Sequence, residues 1–248
     1  MITDMSISQK IINLWPDKAH VNDSSYLMDA DDDVERLTNV NKPLLKVFEP
    51  RKEKKKEVGI IVCPGGAYQF LSVNLEGSEI ASWLNGLGIT AFVLQYSVPD
   101  NRDDALKDLV RAQQVVLSNF AGLKKLGVLG FSAGAHLAFR VIVQNDKKFD
   151  FGILMYPAYF NELHRERLSP ELQFSEKLLP LFIAGANDDM EYAESTLVLS
   201  AALKDIDSPF ELHFFAQGGH GFGLRPENKA GRIWPGLAEN WMKNIAVI

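Results

Sequence analysis

Ser132 lies in the stretch "VLGFSAGAHLAF", residues 128–139, framed by Gly130 and Gly134. An apolar run precedes it and a run with helical spacing follows. A serine on a tight turn between strand and helix has a strained backbone and an outward-facing hydroxyl, and the glycines leave room where side chains would clash. Such a serine suits a nucleophile. Its hydroxyl is weak at neutral pH, so it needs a base, a group to orient that base, and donors for the developing oxyanion.

The base must come from five histidines. His20 precedes the regular part of the chain and reads as surface. His136 lies four residues after Ser132 in the following helix, where its ring suits packing or support. His164 stands in the charged run "HRER" and reads as solvated. His213 alternates within "FELHFFA", a strand position. His220 lies in "AQGGHGFG", a glycine-rich loop just after that strand, where its neighbours deny it a packing role. His220 is the expected base.

The orienting acid is expected after an earlier strand, in "PLFIAGANDDMEYAEST". Asp188 and Asp189 both follow "LFIAG" and precede a helix. One suits a helix cap and the other can accept the imidazole N–H; spacing leaves the choice open. Of the oxyanion donors, one is the backbone N–H of Ala133, next after the nucleophile. The other comes from the turn "VCPGGAY", residues 62–68, where Gly65, Gly66 and Ala67 follow a short strand. Tyr68, next after that turn, is the expected substrate-binding side chain.

These stretches sit on a regular frame. "GIIVC", "ITAFVLQY", "KLGVLGF", "FDFGILMYP", "PLFIAGA" and "FELHFFA" read as strands. "EGSEIASWLNGLG", "DDALKDLVRAQQVVLSNF", "AGAHLAFRVIVQ", "EYAESTLVLSAALKDI" and "GLAENWMKNIAVI" read as helices. Strands alternating with helices imply an α/β fold with a mostly parallel central sheet and helices on both faces. The near-continuous apolar strands fit a sheet buried on both sides. One domain over 1–248 is expected. Residues 1–42 form an extension packed on the core, and 157–178 a short cap or loop over the sheet's C-terminal edge. The run "RKEKKKE", residues 51–57, reads as a solvated loop between neighbouring strands.

Composition sets the outer bounds. The 248 residues are 46% hydrophobic and 23% charged, with a net charge of −6, which argues against nucleic acid or an acidic membrane as partner. One cysteine excludes an internal disulfide and fits a reducing compartment. The N-terminus lacks an apolar signal core, and no apolar run approaches the roughly 18 residues of a spanning helix. The expectation is a cytoplasmic protein with a small-molecule partner and no membrane, metal or organic cofactor. Homo-oligomerisation is left open.

Together, "CPGGAY", "EGSEIASWLNGLGITAFVLQY", "GFSAGAHLA" and "GGHGFGL" resemble the acetylxylan-esterase-like branch of the α/β-hydrolases, small esterases and lipases, over residues 43–246. The resemblance implies an α/β-hydrolase fold and hydrolysis of short-chain acyl esters, such as acetyl groups on sugars. It implies Ser132 as nucleophile, His220 as base and oxyanion donors at Gly66, Ala67 and Ala133. Matching "DDMEYAEST" to the family's acid loop implies Asp188 as the acid. The chain departs from the family at Ala67 and Ala135, where glycines are usual, and in lacking Val-Pro after the acid. A prolyl-oligopeptidase-like peptidase would use the same machinery but usually carries a large extra domain. A ligand-binding protein on the same scaffold would usually lack a triad member.

Overall fold

The computed structural model describes residues 9–16, 22–27, 32–144, 149–161 and 167–248. In chain order the strands and helices begin with β1 (Gln9–Asn13), β2 (Ser25–Leu27), β3 (Arg36–Thr38), β4 (Leu44–Phe48), β5 (Val58–Cys63) and β6 (Leu71–Ser72). They continue with α1 (Glu79–Gly86), β7 (Thr90–Gln95), α2 (Arg102–Asn119), β8 (Lys125–Phe131) and α3 (Ala133–Gln144). The last five are β9 (Phe151–Met155), β10 (Leu181–Ala186), α4 (Ala193–Asp205), β11 (Phe210–Phe215) and α5 (Lys229–Asn244).

The main sheet has the order β1-β4-β7-β5-β8-β9-β10-β11. From β7 to β11 every neighbouring pair is parallel, while β4 pairs antiparallel with β7 and β1 antiparallel with β4. Side chains alternate across the central strands. Ile61, Val128, Leu154 and Ile183 face one core with Leu109 of α2, Phe139 of α3 and Leu199 of α4. Ile60, Leu129, Ile153 and Phe182 face the other core with Leu84 of α1 and Trp234 of α5. Both faces of the parallel strands are therefore covered, which is why their sequences carry no polar alternation.

Three expectations change. The charged run after β4 is exposed and includes a short 3₁₀ turn at Lys52–Lys54, but it joins strands that are not neighbours, because β7 lies between β4 and β5. The reading of "EGSEIASWLNGLG" as one helix gives way to a π-turn at Asn74–Ser78 followed by α1. The closing helix starts at Lys229 and runs through Pro235, with the Asn228 side chain accepting from the N–H groups of Ala230 and Gly231. That cap satisfies two of the donors a helix start leaves free. Of the segment 157–178, the described parts carry buried Phe160, Leu168 and Leu172 into the core beside α3. The short cap or loop expected there is thus anchored to the core in its described parts. Among the described residues no helix is long and apolar enough to cross a membrane.

Candidate active site

The parallel strands end at one edge of the sheet, where the loops after β5, β8, β10 and β11 meet. After β8 the chain turns sharply. Ser132 has φ of 51°, a left-handed value that costs a side-chain-bearing residue energy, and α3 begins at Ala133. The turn is this tight because α3 abuts the loop after β5: a Cβ on Gly134 would lie 2.1 Å from the Cys63 carbonyl oxygen.

Three side chains form a line. The Ser132 Oγ lies 2.7 Å from His220 Nε2. His220 Nδ1 lies 2.6 Å from Asp189 Oδ2. A carboxylate can only accept, so Nδ1 carries the proton and Nε2 is left to accept from the serine hydroxyl. Asp189 is itself fixed. Its Oδ1 accepts from the N–H groups of Tyr192 and Glu191 at 3.0 and 3.3 Å. Burial alone would raise its pKa; the His220 hydrogen bond and charge and these N–H groups outweigh burial and hold it below the ordinary value.

The structure therefore corrects the acid. Asp188 does not reach His220. Its exposed carboxylate accepts from the N–H groups of Gly218 and Gly219, at 2.9 and 2.7 Å, and so shapes the loop that carries the histidine. The two aspartates leave the end of β10 in different directions, and only Asp189 turns inward.

Tyr68 is buried, its hydroxyl meets His136 Nδ1 at 2.8 Å, and it borders the cleft that Ala67 and Tyr159 also line. Gly66, Ala67 and Tyr68 all have positive φ, of 134°, 56° and 59°, and so form a tightly wound turn at the end of β5. A Cβ on Gly66 would fall 2.1 Å from the Phe70 carbonyl oxygen. The N–H of Ala133, at the first position of α3, has no partner within the helix by its place in it. His213 lies in β11 with its ring against Phe182 and its Nε2 on Glu211 at 2.8 Å. His20 and His164 lie outside the described residues.

Two site residues escaped the sequence reading. Glu76, in the π-turn before α1, is buried. Its Oε2 accepts from the N–H of Gly65 at 2.6 Å and its Oε1 from the Tyr156 hydroxyl at 2.7 Å. The Tyr156 oxygen also accepts from the N–H of Gly223 at 3.3 Å, and the Tyr156 ring packs edge-on against His220. One carboxylate thus ties the turn after β5 to the loop bearing the histidine. Burial raises the Glu76 pKa, against the pull of both donors. The only sequence signal was an acid on a helix-like segment close to the "PGG" turn.

Among the described residues no group of three or more His, Cys, Asp or Glu side chains is placed to hold a metal ion. The sheet topology and the serine at the strand-to-helix turn define an α/β-hydrolase fold, and Ser132, His220 and Asp189 form a hydrogen-bonded line at the end of its parallel strands. Residues 90–239 match the profile of the Dienelactone hydrolase family, and the chain belongs to that family.

Among curated relatives it is similar to an acetylxylan esterase of Xylanibacter ruminicola. The two are 27% identical over 240 residues, covering 84% of this chain and 50% of the relative. It is also similar to an endo-1,4-beta-xylanase B of Butyrivibrio fibrisolvens, 26% identical over 65% of this chain and 32% of the relative. The chain spans half or less of the length of these relatives. A solved structure of an acetyl ester-xyloside bifunctional hydrolase from Caldicellulosiruptor lactoaceticus matches with a TM-score of 0.76 and 28% identity, covering 96% of this chain and 97% of the other.

Proposed function

We propose that this protein is a serine hydrolase of carboxylic esters with short acyl groups, acetylated sugars among them. The observation that carries this reading is the hydrogen-bonded line of Ser132, His220 and Asp189 at the strand-to-helix turn. Ser132 Oγ attacks the ester carbonyl carbon while His220 Nε2 takes its proton. The carbonyl π electrons move onto oxygen, and the tetrahedral intermediate places that oxyanion near the N–H groups of Ala133 and the Gly66–Ala67 turn. Collapse breaks the C–O bond to the alcohol, and His220 returns the proton to the leaving oxygen. Water, deprotonated by His220, then attacks the acyl-enzyme and frees Ser132. Asp189 keeps His220 in the required tautomer and stabilises the imidazolium. Each preorganised donor to the oxyanion is worth about 3 kcal/mol in this chemistry.

The acetyl preference draws on the similarity to enzymes whose names specify acetylxylan and acetyl ester-xyloside substrates. A series of p-nitrophenyl esters from acetate to decanoate tests it. Activity greatest at acetate or propionate, and absent in Ser132→Ala, is the expected result. An optimum at octanoate or longer would remove the short-chain reading, and full activity in Ser132→Ala would remove the mechanism.

A further inference from the structure

We propose that His136 is a positioning residue for the reaction at Ser132. Its Nδ1 accepts the Tyr68 hydroxyl and so ties the left-handed turn of Gly66, Ala67 and Tyr68 to α3, the helix that starts beside the nucleophile. This deepens the esterase reading and rests on it.

The turn needs holding. Gly66, Ala67 and Tyr68 have positive φ in succession, and two of the three carry a Cβ. Left-handed backbone is unfavourable for such residues and persists only where the surroundings over-determine it. Local bonds do part of this. The N–H groups of Gln69 and Phe70 donate to the Gly66 carbonyl at 2.8 and 3.1 Å, and the N–H of Asp100 donates to the Tyr68 carbonyl at 2.8 Å. The Tyr96 hydroxyl donates to the Pro64 carbonyl at 2.7 Å. None of these reaches the helix of the nucleophile. The Tyr68 hydroxyl does, at 2.8 Å from His136 Nδ1. Among the described residues it makes the one hydrogen bond that joins residues 65–68 to α3.

His136 lies one helical turn beyond Ser132, and its N–H donates to the Ser132 carbonyl at 3.2 Å. One turn of helix and one side-chain bond therefore connect the nucleophile to the turn proposed to face the oxyanion. The His136 ring is fully buried. It stands edge-on to Tyr68, Tyr159 and Phe160, with ring centres 5.8, 5.9 and 6.1 Å away. Rings on several sides restrict its swing. A space-filling side chain would need no nitrogen here, and a buried imidazole costs desolvation that an apolar one would not.

The neighbours also set the tautomer. His136 Nε2 lies 3.4 Å from Glu171 Oε1, too poorly aligned for a hydrogen bond. A bare nitrogen lone pair facing that carboxylate would be repelled, so the proton sits on Nε2 and Nδ1 is left to accept from Tyr68. Burial lowers the His136 pKa, which keeps the ring neutral and that lone pair free near neutral pH. The order acid, imidazole, hydroxyl repeats that of Asp189, His220 and Ser132. Tyr68 is no second nucleophile, because it is buried and burial raises its pKa above the ordinary value.

Three substitutions test the tie. Tyr68→Phe removes one oxygen, His136→Leu removes both nitrogens, and His136→Asn offers an amide oxygen near the place of Nδ1. On p-nitrophenyl acetate the first two should each lower kcat about ten- to a hundredfold, because small misplacement of oxyanion donors is costly. KM should move less than about twofold. The double variant Tyr68→Phe with His136→Leu should fall no further than the worse single one, and His136→Asn should recover part of the lost kcat. Hydrogen exchange of the peptide 64–72, which holds the Gln69 and Phe70 amides, should quicken in Tyr68→Phe and His136→Leu and less in His136→Asn. An unchanged kcat in Tyr68→Phe overturns the proposal. So does a multiplied loss in the double variant, which would make the two residues independent. A raised KM at constant kcat also overturns it, since Tyr68 would then be a ligand contact. Should His136→Leu fail to fold, Tyr68→Phe and His136→Asn carry the same comparison. Hydrolysis of no ester by folded wild type would sink the esterase reading, and exchange then judges the tie alone: quickened exchange in Tyr68→Phe upholds it, and unchanged exchange overturns it.

Discussion

Asp188 and Asp189 are consecutive in the chain yet serve different atoms of one loop: Asp189 takes the imidazole N–H of His220, and Asp188 takes the backbone N–H groups of Gly218 and Gly219 two and one residues before it. The first bond sets a tautomer and the second sets a backbone. Their loss should therefore differ in kind. Asp189→Asn presents an amide that can donate to Nδ1 and favours the wrong tautomer. Its kcat on p-nitrophenyl acetate should fall by about 10³- to 10⁴-fold. Asp188→Ala leaves the tautomer intact and should cost about tenfold or less, with a lower melting temperature. The opposite ranking would return the orienting role to Asp188.

Asp189 also gives a pH signature. Its folded-state pKa is depressed, so the folded protein binds its proton less readily than the unfolded chain. The stability this contributes is complete above the unfolded value of about 3.9 and is lost as pH falls through the lower folded value. The difference in unfolding free energy between wild type and Asp189→Asn should hold steady from pH 7 to 5 and shrink below about pH 4. Urea titrations of both proteins across that range check it. A gap that widens in acid would contradict the direction of the shift.

Glu76, through Tyr156, joins the turn after β5 to the loop that carries His220. Glu76→Leu leaves the Gly65 N–H and the Tyr156 hydroxyl buried without their acceptor, a cost of about 1 to 3 kcal/mol for each. A destabilised and nearly inactive protein is expected. Tyr156→Phe is the sharper probe, since it removes one oxygen and keeps the ring against His220. It should lower kcat on p-nitrophenyl acetate about tenfold while KM moves less than twofold, because the lost bond orients the base and does not hold the ester. Unchanged kcat in Tyr156→Phe would reduce Glu76 to a packing role.

The turn at Ser132 rests on close backbone approach. Gly134→Ala drives a methyl against the Cys63 carbonyl oxygen, which is backbone and cannot swing aside. A loss of about 3 kcal/mol or more is expected, at or beyond the upper end of ordinary overpacking. The urea midpoint measures it. A midpoint within experimental error of wild type would mean that α3 can shift away from β5 at little cost.

Much of this was legible in the chain. Ser132 and His220 stood out because each sits among glycines where a core has no use for it. The parallel strands were legible because burial on both faces leaves unbroken apolar runs, as in "GIIVC". Asp189 was not separable from Asp188, because both follow β10 at the same kind of turn and only side-chain direction divides them. Glu76 read as an ordinary helix acid, since its partners Gly65 and Tyr156 are 11 and 80 residues away in sequence. The bond from the Tyr68 hydroxyl to His136 was not legible either, because that partner lies 68 residues further on. Pro235 hid the first turns of α5, where Asn228 supplies a cap that outweighs a single broken helix bond.

The central claim is that Ser132 Oγ forms a covalent bond with the group it attacks. The most direct measurement is the intact mass of the protein after treatment with an organophosphate ester, followed by peptide mapping. Wild type should gain one phosphoryl adduct on the peptide that contains Ser132, with loss of esterase activity in proportion. Ser132→Ala should gain none there, and Asp189→Asn should react far more slowly. An unmodified Ser132 peptide in a protein that still hydrolyses p-nitrophenyl acetate would contradict the account.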